Sequence, residues 1–346
     1  MALGWGVIGS GGIADRRTIP EGIVPSPKCR LVMVMDADPE RARATGEKYG
    51  VPYTATMEDL LANPGVQAVY IATPAFLHRE QAVAAAEAGK HILVEKPIAL
   101  SMDEGREVIE ACRQARVKLA NGLMMRFHGA HQAIKRLVEE GALGDIVFAR
   151  AQLSGWYPSI PGAWRQNWKH GGGGALIDMG CHCLDLLEWI VGRIDRLACL
   201  SETVTWDYEV EDTATVLLHF ANGAQGIVDV NWNVPDQAAM NVLELRGTKG
   251  AVYADHTVGQ DAGGRVRLYL PDGTGGYDAQ QRREGQEIGR EMSFPRINCY
   301  QAEVEALVEV VEKDAEPEVS GEVGLRALEL TLRAYESARE GRFLAV

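Results

Sequence analysis

A lysine, an aspartate and a histidine in this 346-residue chain have the types and spacing that acid–base chemistry needs. Lys96 follows the apolar run His91-Ile92-Leu93-Val94 and then Glu95, directly after the helix-stopping Ala88-Gly89. Pro97 stiffens the backbone behind it. The run predicts a short buried strand, and in an open α/β sheet ligands bind outside the carboxyl ends of the strands. A lysine there can polarise a substrate oxygen; a plain surface ion pair is the alternative. Asp178 and His182 lie in a second stretch, whose apolar positions 176, 179, 183, 186, 187 and 190 are helix-spaced. Four residues apart, they share a helix face at about 6 Å along the axis. Three readings fit. A metal pair would show only two ligands, because Cys181 and Cys183 point elsewhere. A buried carboxylate–imidazole pair could be structural. The third is a general acid/base His182 supported by Asp178, which we adopt, with no metal expected.

The lysine needs a parallel sheet to carry it, and the first third of the chain reads as one. Residues 4–8 form a short apolar strand, and Gly9-Ser10-Gly11-Gly12-Ile13-Ala14 follows. The register Gly9-x-Gly11-x-x-Ala14 falls between strand and helix, where a dinucleotide pyrophosphate is cradled; Gly4-x-Gly6-x-x-Gly9 lies inside the strand and cradles nothing. The next strand, 31–35, ends in Asp36 at the spacing of the ribose-binding acid, which favours NAD over NADP. Arg41 and Arg43 on the following helix keep NADP open. Strand and helix then alternate: helix 38–49, a short helix behind Thr56-x-x-Asp59, strand 66–72, helix 76–88, strand 91–94, a helix capped by Ser101-x-x-Glu104, and strand 117–120. The rhythm predicts a doubly wound parallel sheet in a dinucleotide-binding Rossmann domain over residues 1–122, with the strand ends at Gly9, Asp36, Thr73, Lys96 and Asn121 facing one crevice.

Residues 123–346 read as a second, α/β domain for substrate binding and oligomerisation. A helix at 129–139 and a strand at 145–154 lead to the loop 156–168, which holds three of the seven tryptophans and Arg165. It is either an aromatic plug on the core or a lid over substrate and nicotinamide. After the four glycines 171–174 and the Asp178/His182 helix, strands at 196–205, 213–220, 225–233, 238–246, 251–256 and 265–270 imply a large, mostly antiparallel sheet, with Asn222-Gly223 as a hairpin turn. Residues 258–298 are polar and glycine-rich, an expected excursion. Helices at 300–313 and 321–340 close the chain.

Composition bounds the partners. The net charge of −13 argues against nucleic acid and anionic membrane, and no apolar run is long enough to span a bilayer. The start of the chain has no signal-type segment, and six scattered cysteines suit reduced thiols, so a cytoplasmic location is expected.

Taken together, these residues resemble the glucose–fructose oxidoreductase/inositol dehydrogenase (GFO/IDH/MocA) family. The matching pieces are Gly9 to Ala14, Ala72-Thr73-Pro74 with His78, Glu95-Lys96-Pro97, Arg126-Phe127-His128, Trp164-Arg165, and the stretch from Gly172 to His182 that contains Asp178. The resemblance implies a Rossmann domain followed by an α/β domain whose large sheet often forms a subunit interface, hence a homodimer or homotetramer. Cofactor contacts carried over by it are Gly9, Gly11, Gly12, Ile13, Asp36, Thr73, Pro74, His78, Glu95 and Lys96. Catalysis falls to Lys96 and His182 with Asp178, and Arg126, Trp164, Arg165, Asp178 and His182 hold the substrate. The implied activity is NAD(P)-dependent hydride transfer to or from a hydroxyl-bearing carbon of a sugar, polyol or related cyclic alcohol. Two rivals stay open: an NAD-dependent glycosidase working through transient oxidation, and a dinucleotide-binding regulator without activity. The regulator would be expected to lack the lysine or the histidine, and both are here. Cys181 and Cys183 depart from the family pattern and read as small buried fillers.

Overall fold

The computed structural model describes residues 2–271, 279 and 289–346. Six strands, β1 (Leu3–Ile8), β2 (Cys29–Met35), β3 (Tyr53–Thr54), β4 (Ala68–Ile71), β5 (His91–Val94) and β6 (Leu119–Asn121), form one parallel sheet in the order β3-β2-β1-β4-β5-β6. This is the doubly wound arrangement, with its switch point between β1 and β4. β1, β4 and β6 are buried at every position, as strands covered on both faces must be. The fold class is the expected one.

Local chemistry sets the connecting helices. Asp38 caps α1 (Pro39–Tyr49) by accepting from the amides of Glu40 and Arg41, Pro39 fits the first turn, and Gly50 ends the helix at φ +66°. α2 (Met57–Ala62) and α3 (His78–Glu87) follow the next two strands, and Ser101 caps α4 (Met102–Ala115) by accepting from Glu104 N–H. The helix after the glycine turn, Ala14–Ile23, is π-wound: Val24 N–H bonds Ile19 carbonyl, five residues back, and Pro20 inside it has no N–H to give.

The rest of the chain builds a nine-stranded sheet. β7 (Ile146–Ser154), β8 (Ile194–Glu202), β9 (Thr213–Phe220), β10 (Gln225–Asn231), β11 (Leu243–Gly247), β12 (Ala251–Asp255), β13 (Arg265–Tyr269), β14 (Arg290–Glu291) and β15 (Leu344–Ala345) run in the order β14-β13-β12-β11-β7-β10-β9-β8-β15. Only β7 and β10 pair in parallel among the described strands of this sheet. The expected strand at 238–246 begins later, because Asp236–Ala238 form a 3₁₀ turn and Asn241 takes φ +47°. α5 (Gly129–Glu139), α6 (Trp168–Gly171), α7 (Cys181–Val191), α8 (Cys299–Lys313) and α9 (Gly321–Glu340) complete the described elements. α7 and α9 lie on one face of the large sheet, against β7 and β8.

The chain returns to the first sheet before it ends. α8 packs on the π helix, and Asn121 N–H donates to Val319 carbonyl at 2.9 Å, so part of 123–346 braces the dinucleotide half. Of the polar excursion 258–298, β13 and β14 are described, while residues 272–278 and 280–288 lie outside the described residues. Among the described residues, no helix is long and apolar enough to cross a membrane.

Candidate active site

The crevice at the carboxyl ends of β1, β4 and β5 opens into a cleft of about 570 Å³ shared by both halves of the molecule. Gly9 turns the chain at φ +86°, and a Cβ there would sit 2.8–2.9 Å from Ala72 and Thr73, so only glycine lets the β1 and β4 ends meet. Gly12 is also left-handed, at φ +53°, with nothing near its would-be Cβ. The result is an open backbone cradle between strand and helix, the shape a pyrophosphate requires. Ile13 and Thr73 line the cleft, and Pro74 leads into a 3₁₀ turn at its rim. Asp36, 8% exposed, accepts from Asp38 N–H at 3.1 Å, and Arg41 Nη1 lies 3.5 Å from the same oxygen. The acid thus carries a cation partner already.

His78 stands behind this cradle. It is buried, with Nδ1 2.7 Å from Pro97 carbonyl and Nε2 3.0 Å from Thr73 carbonyl. Burial lowers its pKa, and a neutral ring donates to one of the two carbonyls. Its role is to tie the β4 end to the turn behind the lysine, not to face the cleft. Glu95 accepts from the Tyr70 hydroxyl, which in turn accepts from Thr18, and burial raises the pKa of Glu95.

Lys96 reaches out of the first sheet to the second half of the chain. Its Nζ donates to Asp178 Oδ1 at 2.7 Å and to Asp178 carbonyl at 2.6 Å. Burial alone would lower the ammonium pKa, but the Asp178 charge reverses this and the net shift is upward. Burial works against ionisation of Asp178, yet Lys96 and then Arg165 hold its carboxyl well below the usual range. Arg165 supplies a third member: its Nε lies 3.3 Å from Asp178 Oδ1 and its guanidinium stacks on Trp164 at 4.2 Å.

His182 opens into the same cleft, 7% exposed, and burial followed by the Lys96 charge depresses its pKa to about 3. The ring is therefore a neutral base at ordinary pH. Asp178 supports His182 through its charge and not through a hydrogen bond: Nδ1 of the ring has no partner among the described residues. Leu176–Gly180 is π-wound, so the i,i+4 relation of an α-helix does not hold there, and the carboxylate turns to Lys96 and Arg165 instead. Cys181 and Cys183 are buried thiols, as expected of fillers; burial pushes Cys181 to about 12.

One side chain expected to meet the substrate lies elsewhere, and one end of the tryptophan loop acts as a brace. Arg126 is not in the cleft: it forks onto Asp185, with Nε to Oδ2 at 2.9 Å, in a separate cavity beside Glu188 and Arg326. One turn beyond His182 along α7, Asp185 supplies the nearer anion and so captures the guanidinium. Trp168 donates its indole N–H to Glu209 carbonyl and packs on Tyr335 at 5.3 Å, which makes it a brace, while Trp164 lines the cleft. Conversely, Tyr157, Asn241 and Arg16 line the cleft without having been singled out. Tyr157 sits between conspicuous aromatics and could have been named; nothing local marks Asn241 or Arg16. Among the described residues no group of three or more metal-ligating side chains occurs.

Comparison with known proteins assigns both halves of the chain to one family. Residues 3–123 match the model of the oxidoreductase family with an NAD-binding Rossmann fold, and residues 131–253 match the GFO/IDH/MocA C-terminal domain. The chain is 32% identical to trans-1,2-dihydrobenzene-1,2-diol dehydrogenase of Mus musculus over 72% of its length and 74% of that protein. It is 28% identical to 1,5-anhydro-D-fructose reductase of Ensifer adhaerens, covering 98% of this chain and 97% of the relative. The crystal structure of aldose-aldose oxidoreductase from Caulobacter crescentus with glycerol superposes over the whole of both chains, with TM-score 0.88 at 29% identity. With its Rossmann half and its C-terminal half both matched, the chain belongs to the GFO/IDH/MocA family of NAD(P)-dependent oxidoreductases.

Proposed function

We propose that the cleft transfers hydride at one hydroxyl-bearing carbon of a sugar or polyol ring, with Lys96 and His182 acting on the same substrate oxygen. The observation that carries this reading is the Lys96–Asp178 contact: a cation from the β5 end and an acid from the α7 approach meet in the cleft that His182 also lines. Bound NAD supplies the hydride acceptor. The glycine cradle at Gly9 to Gly12 and the Asp36 carboxylate fit such a group, since a Cβ at residue 9 would close the turn. His182, neutral by burial, takes the hydroxyl proton. Lys96, charged and fixed by Asp178, stabilises the oxygen as it gains negative character. Arg165, oriented by Trp164 and Asp178, presents its free nitrogens to other substrate oxygens.

The sugar-type substrate rests on relatives whose names describe sugar and cyclic-alcohol chemistry, and on a cleft that mixes Trp164 with polar groups. Six unpaired buried thiols support a reducing compartment such as the cytoplasm. A homo-oligomer is supported by the sheet face away from α7, where Leu217, Ile227, Arg150, Glu244 and Tyr253 line up across five strands and Leu217 and Tyr253 are exposed. The test is a panel of D-xylose, levoglucosan and 1,5-anhydro-D-fructose with NAD(H) and NADP(H). Stoichiometric NADH formation or consumption supports the reading. Turnover of a glycoside with no net NADH replaces it with the glycosidase, and dinucleotide binding without turnover replaces it with the regulator.

A further inference from the structure

Behind Glu95 the wall of the first sheet is α8, and it carries an acid that the cleft chemistry leaves unused. Glu303 is 3% exposed, and neither carboxyl oxygen has a hydrogen-bond partner among the described residues. It lines a cavity of about 20 Å³ with Asn121, Glu318 and apolar side chains. Asn121, 1% exposed, also has an orphan acceptor, Oδ1. Its Nδ2 is engaged: it donates to the carbonyls of Val94 at 3.0 Å and Glu95 at 3.3 Å, the two residues that lead into Lys96. α9 presses on the same amide, since a Cβ at Gly324 would fall 2.7 Å from Asn121 Cγ.

These orphans constrain one another. An unpaired carboxylate in an apolar interior is strongly disfavoured, so such a group takes a proton instead. The titratable groups facing Glu303 offer no cation: Glu95 at the β5 end, Tyr70 on β4, Cys299 and Tyr300 on its own helix, and Glu318 at the cavity wall. Burial and Glu95 together push its pKa well above the usual carboxylate range. A neutral carboxyl has one O–H to place, and the orphan acceptor on the same cavity is Asn121 Oδ1. A cavity of this volume holds one water molecule.

We propose that neutral Glu303 is a positioning residue for Lys96: its O–H donates to one internal water, the water donates to Asn121 Oδ1, and the braced amide holds the backbone from which Lys96 projects. The proposal rests on the reading of Lys96 as the group that acts on substrate. Removing the proton deletes the donor and sets a second charge behind Glu95. Because the folded pKa lies above the unfolded one, the brace is complete below the unfolded carboxylate range and is lost as pH rises through the folded pKa.

The experiment compares Glu303→Gln, which keeps size and a donor, with Glu303→Leu, which keeps size alone. It reads kcat against pH with the fastest of the three sugar probes, NAD affinity by titration, and amide hydrogen exchange at residues 94–98, Pro97 excepted. For Glu303→Leu we expect kcat to fall about tenfold, exchange at 94–98 to quicken, and NAD affinity to stay within about twofold, because small misplacements of a catalytic group act on turnover. Glu303→Gln should keep the kcat and exchange that the wild type has with Glu303 protonated, and should lack the fall in kcat that Glu303 ionisation causes as pH rises. Wild-type kcat and exchange in Glu303→Leu overturn the proposal, as does a Glu303→Gln profile that matches the wild type at every pH. The Gln profile decides alone if the Leu variant does not fold. Should Lys96→Ala retain full turnover, the reading of the lysine fails instead, while exchange at 94–98 still tests the Glu303–Asn121 link.

Discussion

Lys96 and Asp178, 82 residues apart, are joined twice: Nζ donates to the aspartate Oδ1 at 2.7 Å and to its main-chain carbonyl at 2.6 Å. The contact fixes the ammonium where a strand end of one sheet faces the π turn that leads into α7. It also leaves one further N–H on Nζ for a substrate oxygen.

Lys96→Ala should therefore cost turnover and spare the dinucleotide. One oriented charge stabiliser in a closed site is worth roughly 10²–10³ in rate. The glycine turn and Asp36 lie apart from Nζ, so NAD affinity should stay within a few-fold. Stopped-flow or steady-state kcat at saturating NAD decides this, and near-normal kcat would reduce the lysine to a structural ion pair. EDTA in the same assay should leave kcat intact.

His182 gives a pH prediction with a definite sign. Its pKa, about 3 in the fold, lies below the unfolded value near 6.5, so it is neutral throughout the neutral range. The free-enzyme kcat/KM profile should show no acid limb near 6.5. Stability linked to this ring is complete above about pH 6.5 and declines as pH falls toward 3. Melting curves of His182→Gln should thus be less acid-sensitive than wild type in that window; His131, also held near 3, retains its share. His182→Ala should lose roughly 10²–10⁴ in kcat. Because groups acting as a unit are not additive, the Lys96→Ala/His182→Ala pair should be little worse than its weaker member.

Cofactor choice turns on Asp36 and Arg41. The carboxylate should favour the 2′-hydroxyl of NAD, and the guanidinium at 3.5 Å tempers that preference. Asp36→Ser should move the ratio of NADP to NAD dissociation constants toward NADP, and Arg41→Ala should move it back. Tighter NADP binding by the unaltered protein would show that Arg41 outweighs the acid.

Trp164 and Trp168 should separate cleanly. Trp164→Ala removes the platform under Arg165 and should raise KM for the sugar while leaving NAD affinity and melting temperature close to wild type. Trp168→Ala loses the Glu209 hydrogen bond and the Tyr335 packing, so the melting temperature should fall, by about 1–2 °C per kcal/mol for a chain of this size. Equal melting losses in both variants would make the whole loop a core plug.

Whatever depends on neighbours along the chain was legible in the order of the residues. Alternating apolar runs, Asp38 and Ser101 as helix caps, and Gly9-x-Gly11-x-x-Ala14 between strand and helix are short-range signals, and they carry the doubly wound sheet, Asp36 and Lys96 at strand ends. Tertiary structure decided which charge each charged group meets. Arg126 was legible as a functional arginine until Asp185, 59 residues away, stood closer than the cleft. Asp178 and His182 were legible as a pair only for an α-helix, and π winding at Leu176–Gly180 released the carboxylate to Lys96 and Arg165. Nothing in the sequence around Glu303 distinguishes a solvated helix acid from a buried one. It becomes unusual only because α8, almost 180 residues after β6, folds back over the strand end that holds Asn121. Spacing reports which side chains leave one face of one element; the partner that fixes a charge is set by contacts between elements, and those are long-range.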